Sequence, residues 1–222
     1  MDFIFMLTRH DQTIEDCLEV MDAIAPVGLA HVGFKDVGVD LATLRSLNER
    51  IKKSGATSYM EVVSTSKEAC LRSARAAAEI GVDRLLGGTD VGEVLQILDG
   101  TGIGYYPFPG APTGHPTRLG GSPEQVAEHC CKFLQAGCAG VDLLAYRATE
   151  ADPLDLVRAA RQALPGAGLI VAGSVDSPAR IRALAEAGAD AFTIGSAVFD
   201  GSFSPTKGAI TSQLRDVLAA CS

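Results

Sequence analysis

No stretch of the 222 residues reaches the roughly 18 consecutive apolar side chains of a membrane-spanning helix, so no membrane partner is expected. The first residues lack the basic, apolar and small-residue succession of a secretory signal, and a cytoplasmic location is expected. Basic side chains are outnumbered 19 to 27, for a net charge of −8, and are nowhere clustered, which argues against nucleic acid as a partner. The six cysteines, Cys17, Cys70, Cys130, Cys131, Cys138 and Cys221, never stand in C-x-x-C spacing. Most fall on apolar faces of predicted helices, as buried thiols of a reducing compartment do. There are only four histidines, and H-x-H, H-x-x-E-H and H-E-x-x-H are all missing, so no metal site is expected. The G-x-G-x-x-G and Walker patterns are missing too, which removes the usual dinucleotide and ATP signatures. No cofactor is assigned on this basis, although a divalent metal or flavin mononucleotide would not need these motifs.

What the chain has is alternation. Short apolar, partly β-branched runs over residues 3–7, 29–34, 58–63, 83–86, 102–106, 141–145, 169–175 and 191–194 read as strands. Between and after them, residues 13–25, 41–54, 66–80, 91–98, 123–136, 153–164, 177–188 and 206–220 read as amphipathic helices. Eight strands alternating strictly with eight helices predict an α/β fold, a parallel eight-stranded (β/α)8 TIM barrel forming one domain over 1–222. An open doubly wound sheet is the alternative. The length suits a barrel, which starts at about 200 residues. Three helix-to-strand joints repeat one phrase: Ala78-Glu-Ile-Gly-Val-Asp83, Gln135-Ala-Gly-Cys-Ala-Gly-Val-Asp142 and Ala185-Glu-Ala-Gly-Ala-Asp190. A glycine there ends a helix in the left-handed conformation. By its place in this phrase Asp142 groups with Asp83 and Asp190 and reads as structural.

In a barrel, chemistry sits at strand C-terminal ends. Strands 7 and 8 each stop at a Gly-Ser pair, Gly173-Ser174 and Gly195-Ser196. Glycine leaves room for a ligand to approach the backbone, and a helix starting near Ser196 would aim N–H groups at an anion such as phosphate. Glu61 lies in the otherwise apolar run Tyr59-Met-Glu-Val-Val63, where a carboxylate is costly unless paired. It is either a general acid/base or a structural partner of Lys35, which ends strand 2. Lys35 could stabilise an enediolate, form a Schiff base or bind an anion. Arg147, after strand 6, reads as an anion clamp. The connection 107–121 is long and rich in proline and glycine, and it leaves the strand C-terminal face. It reads as a substrate lid carrying His115 and Arg118 as substrate contacts.

Val171-Ala-Gly-Ser174 and Thr193-Ile-Gly-Ser-Ala-Val-Phe199 resemble the corresponding turns of the ribulose-phosphate-binding barrels. The resemblance implies a phosphorylated carbohydrate ligand, its phosphate at Gly173, Ser174, Gly195 and Ser196. Asp11-Gln-Thr13 through His31-Val-Gly33, Gly195 through Asp200 and Ser204-Pro205 more narrowly resemble the hexulose-phosphate synthase and 3-keto-gulonate-6-phosphate decarboxylase group. That group carries Asp-x-Lys-x-x-Asp on strand 3. This chain has Glu61-Val-Val63-Ser-Thr-Ser66 there, keeping the first acid and replacing the lysine and second acid by Val63 and Ser66.

The residues therefore suit an enzyme that takes a proton next to a carbonyl of a small phosphorylated carbohydrate or keto acid, as an isomerase, epimerase or aldol-type lyase. Glu61 would be the acid/base and Lys35 the electrophile. A Schiff-base aldolase using Lys35 is the second reading, since Gly33-Phe-Lys-Asp36 resembles the lysine strand of dihydrodipicolinate-synthase-like aldolases. A barrel that binds a phosphate ligand or flavin without turnover is the third. A barrel of this size is compatible with a homodimer.

Overall fold

The computed structural model describes residues 1–64 and 66–221; Thr65, inside the strand 3 motif, and Ser222 lie outside the described residues. Eight strands form the centre: β1 (Asp2–Met6), β2 (His31–Lys35), β3 (Thr57–Glu61), β4 (Arg84–Leu86), β5 (Gly104–Tyr106), β6 (Gly140–Leu143), β7 (Gly168–Val171) and β8 (Ala191–Ile194). All neighbours are parallel, in the order β6-β7-β8-β1-β2-β3-β4-β5. The ends of that order meet. Ala139 N–H donates to the Tyr105 carbonyl at 3.0 Å and Asp142 N–H to the Pro107 carbonyl at 3.1 Å, so the sheet curls into a barrel. The helices are α1 (Cys17–Ile24), α2 (Leu41–Lys53), α3 (Lys67–Ile80), α4 (Val91–Leu98), α5 (Pro123–Ala136), α6 (Pro153–Ala163), α7 (Pro178–Ala187) and α8 (Ile210–Ala220). This is the parallel (β/α)8 barrel that the alternation predicts.

Local chemistry explains several boundaries. Asp40, Ser122, Asp152 and Ser177 cap their helices by accepting from N–H groups of the first turn, and Pro stands at the start of α5, α6 and α7. The first helix begins at Cys17, not at residue 13, because a hairpin, Thr8–Arg9 with Gln12–Thr13, comes first. Its two turn residues, His10 and Asp11, have φ of 50° and 58°, the mirror-image turn that suits strand twist. The seventh strand stops at Val171, short of residue 175, because Gly173 and Ser174 turn left-handed at φ 78° and 58°. A one-turn helix, Ser196–Phe199, follows β8, and α8 starts at Ile210, not at residue 206. The connection 107–121 folds as an antiparallel hairpin, Ala111–Thr113 with Arg118–Gly120. Buried Leu119 anchors it, its carbonyl accepting from Thr149 N–H at 3.0 Å.

The barrel interior is small and partly filled by Ile4, Met6, Tyr59, Leu86, Ile170 and Ala191, with Tyr106 against them. Gly140 and Gly168 make room for the Tyr106 ring, which lies 2.8 and 2.9 Å from where a Cβ would stand at each. The larger apolar layer lies between the strands and the helix ring.

The repeated joints require one correction. Gly81, Gly137 and Gly188 all end helices left-handed. Two residues beyond each, the carbonyls of Asp83, Ala139 and Asp190 accept from Gly104, Gly168 and Asp2 N–H groups in the same way. Asp83 and Asp190 also receive Ser58 N–H and Leu169 N–H on their carboxylates, at 2.8 and 2.7 Å. The equivalent of these two acids is thus Ala139. Asp142 lies three residues further on, inside β6, and does not share their structural role.

Candidate active site

Side chains alternate along a strand, so Lys35, Glu61 and Asp142 all sit on the inward register of β2, β3 and β6. Lys35 and Glu61 are direct neighbours across the β2–β3 pair. The Lys35 Nζ stands 3.3 Å from Glu61 Oε1 and donates at 2.6 Å to Asp11 Oδ1. Arg147, in the turn after β6, grips the same Asp11 carboxylate with both Nη groups, at 3.0 and 3.3 Å. Thr13 ties the Asp11 hairpin to β2 by exchanging hydrogen bonds with the Lys35 backbone, each 2.8 Å. The guanidinium of Arg147 fills the space where a Cβ on Gly173 would stand.

Burial alone would raise the Asp11 carboxyl. The hydrogen bond from Arg147 and the charge of Lys35 outweigh it and hold the group at about 2. Burial alone would lower the Lys35 ammonium, yet Glu61 and Asp11 reverse this and raise it, so the amine stays charged. Asp142 behaves differently. It is fully buried, and among the described residues neither carboxyl oxygen has a hydrogen-bond partner. Burial first, and the Glu61 charge second, push it well above the carboxylate range.

A cavity of about 290 Å³ opens over this cluster at the strand C-terminal mouth. Lys35, Glu61, Arg147, Gly173, Ser174, Gly195 and Ser196 all line it, together with Asp11. Ser196 and Ala197 open the one-turn helix, whose first N–H groups have no intrahelical acceptor. A Cβ on Gly195 would meet Thr8 Oγ1 at 2.6 Å, so only glycine lets β8 turn this close to the end of β1. Arg118 lines an adjoining outer cavity of about 630 Å³ with His10, Thr117 and Tyr146. The two cavities share Asp11, Arg147, Ser174 and Ser196. His115 stands apart, in a groove with Val37, Val63 and Ser64. Among the described residues no group of three or more His, Cys, Asp or Glu side chains is arranged to hold a metal ion.

Sequence reasoning missed Asp11 and set Asp142 aside. The signal for Asp142 was present: a charged residue two positions into the run Gly140-Val-Asp-Leu143, like Glu61 in its own strand. Asp11 had a weaker one, an acid at a two-residue turn directly after the first strand.

Eight parallel strands with polar groups converging on their C-terminal mouth define a (β/α)8 barrel. No family model matches the chain, and no curated protein matches its sequence. Solved structures share its shape. Orotidine 5'-phosphate decarboxylase from Pyrococcus horikoshii OT3 superposes with a TM-score of 0.70 at 11% identity, over 99% of this chain and 98% of that one. A native KDPGal structure gives 0.68 at 15% identity, over 99% and 96%. A 3-hexulose-6-phosphate synthase gives 0.65 at 18% identity, over the full length of both. At these identities the likeness is one of fold, that of the (β/α)8 barrel.

Proposed function

We propose that the protein is an enzyme that removes a proton next to the carbonyl of a small phosphorylated carbohydrate or keto acid, as an isomerase, epimerase or aldol-type lyase. The observation that carries this is the charged Lys35 beside Glu61 at the floor of a cavity rimmed by the two Gly-Ser turns. Glu61 takes the proton. The Lys35 ammonium faces the carbonyl oxygen and stabilises the enediolate as charge develops there. Phosphate lies against Gly173, Ser174, Gly195 and Ser196, which positions the reacting carbons at the floor. Orotidine 5'-phosphate and hexulose-6-phosphate in the names of two structural neighbours support a phosphorylated substrate.

A Schiff-base route through Lys35 is less favoured, because an imine forms from the free amine and both carboxylates hold Lys35 charged. Titration calorimetry with inorganic phosphate and a panel of sugar phosphates tests the assignment. Binding is expected in the native protein and is expected to vanish in Ser196→Asp, which sets a carboxylate against the anion. Equal affinity in the two proteins would overturn the phosphate site. Ligands that bind should then exchange a carbon-bound proton with deuterated solvent, and Glu61→Gln should stop that exchange. Borohydride should leave no adduct on Lys35.

A further inference from the structure

Asp142 is the one buried acid the scheme above leaves unused. Both its oxygens lack partners among the described residues, and it stands on the inward register of β6, beneath the cavity that Lys35 and Glu61 line. Such a group calls for a reason. Counting charge supplies one. Lys35 and Arg147 contribute two positive charges, and Asp11 and Glu61 answer with two negative ones. A third carboxylate would leave the buried cluster with an unanswered charge, which is far costlier than a proton.

We propose that Asp142 rests protonated as the neutral member of a charge-coupled pair with Glu61, so that the two carboxyls titrate as one unit without a hydrogen bond between them. Asp142 does not touch the substrate; it acts through Glu61 as a positioning residue. The proposal rests on Glu61 being the base. In the proton-transfer step Glu61 takes a proton from the substrate carbon, and the bonding pair stays on the enediolate. Asp142 keeps its own proton. The unit passes from one proton to two, and back when Glu61 returns its proton. At high pH the resting proton leaves. The site then carries net negative charge, and an anionic substrate is repelled.

The charged or titratable groups around Asp142 are Glu61 from β3, Lys35 from β2, Arg147 from the turn after β6 and Tyr106 from β5, with Asp11 behind the two cations. Glu61 is the group among them whose charge opposes ionisation of Asp142 most directly. This gives the coupling a test that needs no substrate.

Infrared difference spectra of the native protein in deuterated buffer should show one carboxylic-acid carbonyl band at pH 7, absent from Asp142→Asn. A native spectrum without that band overturns the proposal, as does a band that persists in Asp142→Asn. In Glu61→Gln, which leaves Asp142 intact, the band should titrate at lower pH by one unit or more. An unmoved titration would show that the two carboxyls are not a unit. Once a ligand is found by the phosphate panel, its solvent-exchange rate should fall at alkaline pH in the native protein, and that limb should be missing in Asp142→Asn. Failure to bind phosphate would remove the proposed substrate class and leave the infrared result standing, so the two failures are distinguishable.

Discussion

Asp11 joins two cations from opposite sides of the barrel mouth, and it does so from a turn of two left-handed residues. Its carboxyl is held at about 2, below the unfolded value of 3.8. A group whose folded value is depressed contributes stability that is present above the unfolded value and is lost as pH falls through the folded one. The contribution, on the order of 1–2 kcal/mol after allowance for solvent, should therefore fade between about pH 4 and pH 2. Acid unfolding should be shallower over that window in Asp11→Asn than in the native protein, as urea titrations at stepped pH would show. Lys35→Met is the harsher change. It strands Glu61 as a buried carboxylate and leaves Asp11 to Arg147 alone, and breaking such a cluster costs about 3–5 kcal/mol. Proton exchange should fall by about 100-fold or more, read as deuterium uptake by a bound sugar phosphate. Lys35 and Glu61 were legible because a charge inside an apolar strand has few bland explanations. Asp11 was not, because its role depends on a mirror-image turn that folds it back over the mouth.

At the scale of elements, eight strands and eight helices were legible from periodicity, since each strand is apolar on the face that meets the helix ring. Boundaries near the mouth were less so. Strands 3 and 7 end early, at Glu61 and Val171. The apolar run continues past the point where the backbone leaves the sheet, and hydropathy does not record that change. The repeated joint misled in a related way: three extra residues between Gly137 and Asp142 shift the acid from a strand cap into the barrel. The β8–β1 contact is the element-level test. Gly195→Ala would place a methyl 2.8 Å from the Thr8 carbonyl and 3.1 Å from that of Met6. Backbone must move, at a cost of about 1–3 kcal/mol. A lower melting temperature, with weaker phosphate binding than in Gly208→Ala as control, is the expected outcome; a Cβ on Gly208 meets nothing within 4 Å.

For the whole molecule, closure is uneven. Seven strand pairs are laddered, while β5 and β6 are joined by the Ala139–Tyr105 and Asp142–Pro107 hydrogen bonds. Native-state hydrogen exchange should show the Ala139 and Asp142 amides opening sooner than Val32 and Phe34, which lie in β2 between two laddered neighbours. Equal protection at these four amides would mean that the seam is as firm as the rest. Tyr106 has a consequence of a different kind. Its ring lies across Gly140 and Gly168 and stoppers the barrel below the charged cluster. The cavity above lies at the strand C-terminal mouth, and the 107–121 hairpin stands beside it through the Thr117 carbonyl and Arg118. A sugar phosphate at the proposed site would reach and leave it past that hairpin, which would tie ligand exchange to this one loop.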